Sequence, residues 1–312
     1  MTAEYDSIQA MGPTPGAEAP VVFLYGEVTS VFDPAWELYK AKKLHVWGSV
    51  LAESQTKGRG RAGRPWVSPP GHVYAALRLP MAAPFDGPSA SVALALFVSM
   101  ALEELFPLKV SIKWPNDIIL EGKKIGGLLL EARQGAVIAG IGLNLVSPPI
   151  WAPAEPGLDN DHSGPGPNGG HGNDTAHWAH TCHTGLVPHA AQGDQGNPVG
   201  WLPSLPAGAL PVTEGPGELW PKLVEKTLVC YNLQMANHEQ SHFGAESIMG
   251  LAKERLLGLG QKIAIRSPST EPPFHGRVLA GTLVGLDSTG ALLIEKDGCV
   301  YAAWSGSLFF CL

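Results

Sequence analysis

Residues 55–66 read QTKGRGRAGRPW, where Gly58, Gly60 and Gly63 alternate with Arg59, Arg61 and Arg64 before Trp66 closes the run. Glycine lets a backbone adopt shapes closed to other residues and lets its amides come close to a ligand. Arginine sets a permanent, forked cation where a phosphate or carboxylate has to be held. A flexible cationic loop ending in a large aromatic suits a site for an adenine nucleotide and an acid substrate. The bland alternative is a solvated basic turn, and the run alone does not choose between them.

Known nucleotide signatures do not explain it. Gly58, Gly60 and Gly63 satisfy GxGxxG on spacing, but that fingerprint needs a helix to begin within the loop so that its N-terminus meets the pyrophosphate. Pro65, Pro69, Pro70 and Gly71 follow instead. The partners of a kinase glycine-rich loop are missing, and the chain contains no GxxxxGK[ST]. A second informative stretch lies downstream. It comprises KWPND at 113–117, KIGGLLLE at 124–131 and GIGLN at 140–144. Pro115 prevents the Lys113–Trp114 strand from running on, which leaves Asn116 and Asp117 at a strand end, where site residues collect.

These groups need elements to carry them. Residues 20–28 are β-branched and aromatic and predict a first strand. Asp33 followed by Pro34 predicts an N-cap and first-turn proline opening a helix to about residue 43. A strand at 46–53 delivers the chain into the arginine loop, and 72–79 alternates as another. Residues 88–106 form a long apolar helix with no polar face before Glu103, so it is buried on most sides. The runs 118–120, 125–130 and 136–141 are strand-length, and a tight turn at 121–123 joins the first two into an antiparallel meander. Helices are predicted at 218–236 and 245–257. Residues 260–312 hold short alternating strands between turn signals such as 287–290 and 297–298, the pattern of a small β-domain of five or six strands.

Composition bounds the class. The chain has 312 residues, 45% of them hydrophobic, enough for a substantial core and about two domains. A net charge of −7 with pI near 5.9 argues against a sequence-independent nucleic-acid surface. Cys182, Cys230, Cys299 and Cys311 match no zinc or redox spacing and read as free thiols of a reducing cytoplasm. The most apolar run, 92–105, is too short and too interrupted to span a membrane. Residues 1–19 read as a disordered leader, and 148–211, rich in Gly, Pro, His, Asn and Asp, as a low-complexity mobile insertion. Six of the eleven histidines fall in that insertion. His177, His180 and His183 around Cys182 read as compositional drift rather than a metal site, because no helix or turn fixes their geometry.

Taken together, GRGRAGRPW, KWPND, KIGGLLLE and GIGLN stand in the order and spacing of the biotin–protein ligases, and the chain resembles that family over 21–145 and more loosely from 218 onward. The resemblance implies an α+β catalytic domain at 20–257, a mixed sheet with flanking helices related to class II aminoacyl-tRNA synthetases. An SH3-like β-domain at 258–312 would follow it. It implies a ligase of the type without a DNA-binding domain. Biotin would be activated with ATP and Mg²⁺ to biotinyl-5′-adenylate, then passed to a lysine of a biotin carboxyl carrier domain. On this basis Lys124 and Arg61 are the catalytic candidates. Ser30, Gln55, Gly58, Arg59, Gly60, Arg61, Lys124, Gly126, Gly127 and Gly142 are the biotin-binding set. Arg59, Arg61, Arg64, Trp66, Lys113, Asn116 and Asn144 are the ATP-binding set, and Asp117 is the candidate metal ligand.

One departure carries weight. The family has a Ser/Thr-Thr-Asn tripeptide after the first strand to grasp biotin, whereas Ser30 here is followed by Val31 and Phe32. A lost hydrogen bond to a buried polar ring costs on the order of 1 kcal/mol or more. A biotin- or adenylate-binding homologue without transfer activity therefore stands as a second reading, and lipoate ligation on the related fold as a third. A sheet edge is expected to serve either a homodimer or the docking of the carrier.

Overall fold

The protein is described from a computed structural model covering residues 7–9, 20–145, 201–202, 207–240, 244–266 and 278–311. In chain order the elements are β1 (Ser7–Gln9), β2 (Val21–Val28), α1 (Phe32–Lys40), β3 (Ser49–Arg59), β4 (Pro65–Ser68), β5 (Val73–Leu79), α2 (Ala90–Leu105), β6 (Val110–Lys113), β7 (Asp117–Leu120), β8 (Lys123–Arg133) and β9 (Ala136–Leu143). They continue with β10 (Trp201–Leu202), α3 (Pro216–Gln240), α4 (Gly244–Glu254), β11 (Lys262–Arg266), β12 (Val278–Leu286), β13 (Leu292–Lys296), β14 (Cys299–Ala303) and β15 (Ser307–Cys311).

Strand alternation sorts the core into two sides. On β5, Tyr74 and Ala76 join Val50 and Ala52 of β3 and Ile138 of β9 beneath α1. Their neighbours Ala75, Leu77, Leu51, Val137, Ala139 and Ile141 belong to the larger cluster that includes α2, α3 and α4. This is the period-two pattern expected of a sheet covered on both faces. The sheet has nine strands in the order β1-β2-β3-β5-β9-β8-β7-β6, with β4 paired to β3. Only β2 and β3 run parallel, which makes the sheet mixed, as predicted. Helix α2 is buried along most of its length, which explains the missing polar face. The second sheet, β10-β15-β11-β12-β13-β14, is antiparallel throughout. Trp114 Nε1 donates to Gly290 O at 2.9 Å, tying the strand-end motif to this second sheet.

Three local expectations are corrected. Helix α1 begins at Phe32 with Val31 as N-cap and no side-chain cap, so Asp33 lies inside the first turn. The strand predicted at 46–53 starts at Ser49 and runs on to Arg59, turning the supposed flexible loop into a β-hairpin with β4, its turn a 3-10 segment at Arg61–Gly63. The end of the predicted insertion is built into the molecule. Trp201 and Leu202 pair with β15, and 207–210 lie beside β8 and β9. Residues 148–200 and 203–206 of that segment, with the His177, His180, Cys182 and His183 group, and the leader apart from β1 lie outside the described residues.

Candidate functional site

A β-bulge decides where Lys124 points. Between β7 and β8, Ile118 faces Gly126 while Ile119 faces Lys124, so Ile125 is an extra residue on β8. The added residue reverses the alternation and brings Lys124 to the same face as Gly127, the usual consequence of a bulge beside a site. A Cβ on Gly127 would lie 3.4 Å from Lys124 Nζ and 3.3 Å from Trp66 Cζ3. Lys124 Nζ reaches Asp117 Oδ1 at 2.6 Å and stands 5.3 Å from the Trp66 ring centroid. Lys124 thus meets the arginine hairpin through Trp66.

Further cations surround this pair. Arg61 Nη1 donates to Asn116 Oδ1 at 3.1 Å, and Asn116 Nδ2 donates to Leu128 O at 2.6 Å, so the asparagine ties the hairpin to β8. Arg61 is half-buried. Burial lowers its pKa, and the neighbouring charge of Asp117 works in the opposite direction. Lys113 is 8% exposed, 5.8 Å from the Phe310 ring centroid in the second sheet. Burial pulls its ammonium below the usual lysine range, Asp117 opposes this, and Lys124 and Arg64 add to it. Arg61, Lys113 and Lys124 thus share one carboxylate, Asp117, with the charge of Arg64 acting on Arg61 and Lys113. Such a cluster attracts a polyanion.

The glycines form the floor of the neighbouring region. Gly142 of β9 pairs with Gly127 of β8, and Gly140 lies two residues away on the same face. With no side chains here the sheet is hollow, and two aromatic rings fill the hollow. A Cβ on Gly142 would stand 2.8 Å from the Trp66 indole, and one on Gly140 would stand 2.6 Å from Phe32 Cζ. Trp66 Nε1 is buried with no hydrogen-bond partner, as is Ser30 Oγ. Gln55 is already engaged: its Oε1 accepts from Val31 N–H and its Nε2 donates to Ser68 Oγ, both at 2.9 Å.

Other predicted residues play different parts. Arg59 points away from Lys124, toward Asp33 at 3.2 Å and Glu131 at 3.7 Å, with its guanidinium 5.2 Å from the Phe32 ring centroid. The strand ends at Arg59 and the 3-10 turn begins at Arg61, so the turn rather than the strand aims Arg61. Gly126 alternates with Gly127 along β8 and faces the opposite core, where a Cβ would meet Leu143 at 2.5 Å. Gly58 lets β3 close on Trp66 O, and Gly60 N–H donates to Arg64 O at 2.7 Å. Asn144 is buried. Its Nδ2 donates to Gly208 O at 3.0 Å, while its Oδ1 has no partner. Among the described residues no group of three or more His, Cys, Asp or Glu could hold a metal, and Asp117 already carries Lys124.

Sequence reasoning missed four contributors. Gly140 carried a signal, since it shares the parity of Gly142 in the same motif. Phe32 was noticed only as a missing asparagine. The segment 207–210, whose Gly208 N–H donates to Lys124 O at 2.9 Å, and Phe310 in the second sheet are distant in sequence and carried no motif.

Residues 25–145 match the biotin/lipoate A/B protein ligase family. The chain is 40% identical over 119 residues to the biotin–[acetyl-CoA-carboxylase] ligase of Paracoccus denitrificans, covering 35% of this chain and 48% of that protein. It is 39% identical over 113 residues to the bifunctional ligase/repressor of Bacillus subtilis strain 168, covering 34% and 35%. These matches thus span half or less of the relatives' own length. In overall fold the chain is similar to the biotin protein ligase of Aquifex aeolicus in complex with biotin and ATP. That likeness has a TM-score of 0.61 at 22% identity and covers 93% of this chain and 99% of that one.

Proposed function

Because the chain belongs, through residues 25–145, to the biotin/lipoate A/B protein ligase family, we propose that it is an ATP-dependent ligase that activates a carboxylic acid as its acyl-adenylate. The acyl group then passes to a lysine of a carrier domain. The names of the relatives point to biotin as the acid and a carboxylase domain as the carrier.

The observation that carries this reading is Lys124, ion-paired to Asp117 at 2.6 Å amid Arg61, Arg64 and Lys113. A carboxylate and a triphosphate repel each other. Fixed cations offset that repulsion, most strongly as charge shifts to the leaving pyrophosphate. Lys124 bridges the acid's carboxylate and the α-phosphate. A carboxylate oxygen bonds to that phosphorus as the bond to pyrophosphate breaks. Arg61, held by Asn116, and Lys113 face the phosphates. In the second step a carrier lysine amine attacks the acyl carbon, an amide forms, and AMP leaves.

Asp117 alone does not make a metal site. Magnesium, when present, is held chiefly by the nucleotide's own phosphates, and Asp117 is the one carboxylate in this cluster that could add to them. The free thiols of Cys230 and Cys299 fit a reducing compartment. No helix among the described residues is long and apolar enough to cross a membrane.

The full chain, mixed with ATP, magnesium, biotin and a carboxylase carrier domain, is expected to release pyrophosphate and add the acyl mass to one carrier lysine. Pyrophosphate release without carrier labelling would confine the activity to adenylation. No release with any carboxylic acid would refute the ligase reading.

A further inference from the structure

Resting on the adenylation reading above, we propose that the far end of the acid pocket takes an apolar group and that Phe32 determines this. The preferred acid would carry a hydrocarbon tail where biotin carries its ureido ring. The path of the acid follows from the floor. A carboxylate at Lys124 continues over Gly127 and Gly142 toward Gly140, a side-chain-free track on that face leading away from Lys124. The Trp66 indole now lies on the first part of that track and is displaced or stacked upon when an acid enters. At the far end the track meets Phe32, whose ring rests on Gly140.

The polar groups available there are few. Val31 and Phe32 are 4% and 2% exposed and belong to the same apolar cluster as Val50, Ala52, Ala76 and Ile138. The carbonyl of Gln55 is used by Val31 N–H, and its amide nitrogen already donates to Ser68. The Tyr74 hydroxyl donates to Pro69 O at 2.8 Å. Arg59, over the Phe32 ring, pairs with Asp33 and Glu131. Ser30 Oγ remains as a buried hydroxyl without a partner, and Trp66 Nε1, over Gly142, as a buried donor without one. A ureido ring has two N–H donors and one carbonyl, and against Phe32 and Val31 at least one of its N–H groups would stay unpaired. A hydrocarbon end loses nothing there. Each unpaired buried group weakens binding by roughly tenfold.

The test compares octanoic acid with biotin in ATP–pyrophosphate exchange by the full chain. Octanoate is expected to exceed biotin in kcat/KM by about tenfold or more. The double variant Val31→Thr/Phe32→Asn should move that ratio toward biotin by a similar factor, and Phe32→Leu should leave it nearly unchanged. A wild-type preference for biotin, or a ratio unmoved by the double variant, overturns the proposal. Binding of each acid is measured separately by calorimetry, so the preference is read even without chemistry. Tighter octanoate binding with no exchange would sustain the Phe32 assignment and sink the ligase reading. Tighter biotin binding, or no binding of either acid, would sink the assignment.

Discussion

The two ends of the site are built in opposite ways. At one end the working groups are charged, and each is already engaged: Lys124 with Asp117, Arg61 with Asn116, Asn116 with Leu128. At the other end the groups are apolar, held by packing onto bare backbone at Gly140 and Gly142. The charged end is built largely from residues 61–128, close in sequence and arranged by hairpin turns and one bulge. The apolar end joins α1 to β9, more than a hundred residues later. A charge cluster can thus be kept by short motifs, while the shape of the pocket depends on a motif glycine, Gly140, meeting Phe32, which lies in none. The chemistry of activation and the choice of acid can then vary independently.

That independence predicts separate consequences when each end is changed. The largest is at the charged end. Lys124→Ala removes the ammonium and leaves Asp117 unpaired beside the phosphates, so repulsion replaces attraction. Pyrophosphate release is expected to fall about a hundredfold or more with any acid, in the range seen when one charge-stabilising donor is removed from a site. Asp117→Asn keeps the lysine and should cost about tenfold or less. Equal losses in the two variants, measured at saturating ATP, would show that the ion pair rather than the lysine is what matters.

Next comes the glycine floor. Gly142→Ala puts a methyl 2.8 Å from the Trp66 indole, whereas Gly127→Ala meets only the edge of that ring and the tip of Lys124 at 3.3–3.4 Å. Alanine in a strand normally gains a little over glycine because the unfolded chain is less free. At Gly142 that gain is outweighed by overpacking, and a net loss of about 1–2 kcal/mol is expected in urea unfolding, with a shift in tryptophan emission as the buried indole moves. Gly127→Ala should be close to neutral, since a flexible lysine end can yield. If both variants behave alike, Trp66 does not rest on the floor as described.

Much of this was legible in the sequence, and the limits have physical causes. Period-two patterning and turn residues located the meander and the β-rich tail, because those signals are local. The spacing of GRGRAGRPW, KWPND and KIGG located the charged end for the same reason. The strand-like extension of 54–59 was hidden because Gly58 reads as loop punctuation. It serves instead to let β3 close on Trp66 O. Arg59 and Arg61 look equivalent in the motif, yet hairpin geometry sends them to different partners. Gly126 and Gly127 look equivalent too, and strand alternation turns them to opposite faces, while the bulge at Ile125 brings Lys124 round to the Gly127 side. The seating of 207–210 against Lys124 and Asn144 depends on two backbone bonds and one side-chain bond, none of which a composition window can register.

The smallest expected effect lies at the join between 207–210 and β9. His72 Nδ1 accepts from Leu145 N–H at 3.0 Å, and Leu145 bridges Leu210. Burial lowers the His72 pKa. In the unfolded chain the same histidine titrates near pH 6.5. The folded state therefore refuses a proton that the unfolded state accepts, so stability is full above about pH 6.5 and falls as pH drops from there toward the folded value. For one group the slope is at most about 1.4 kcal/mol per pH unit. His72→Asn supplies a similarly placed acceptor that does not titrate, so thermal melts of the variant between pH 7.5 and 5.5 should fall less steeply than those of the parent. Because 207–210 is bonded to Lys124 O, the parent should also lose pyrophosphate release over this interval more steeply than the variant. Identical pH profiles would remove His72 from any link between the insertion's end and the charged site.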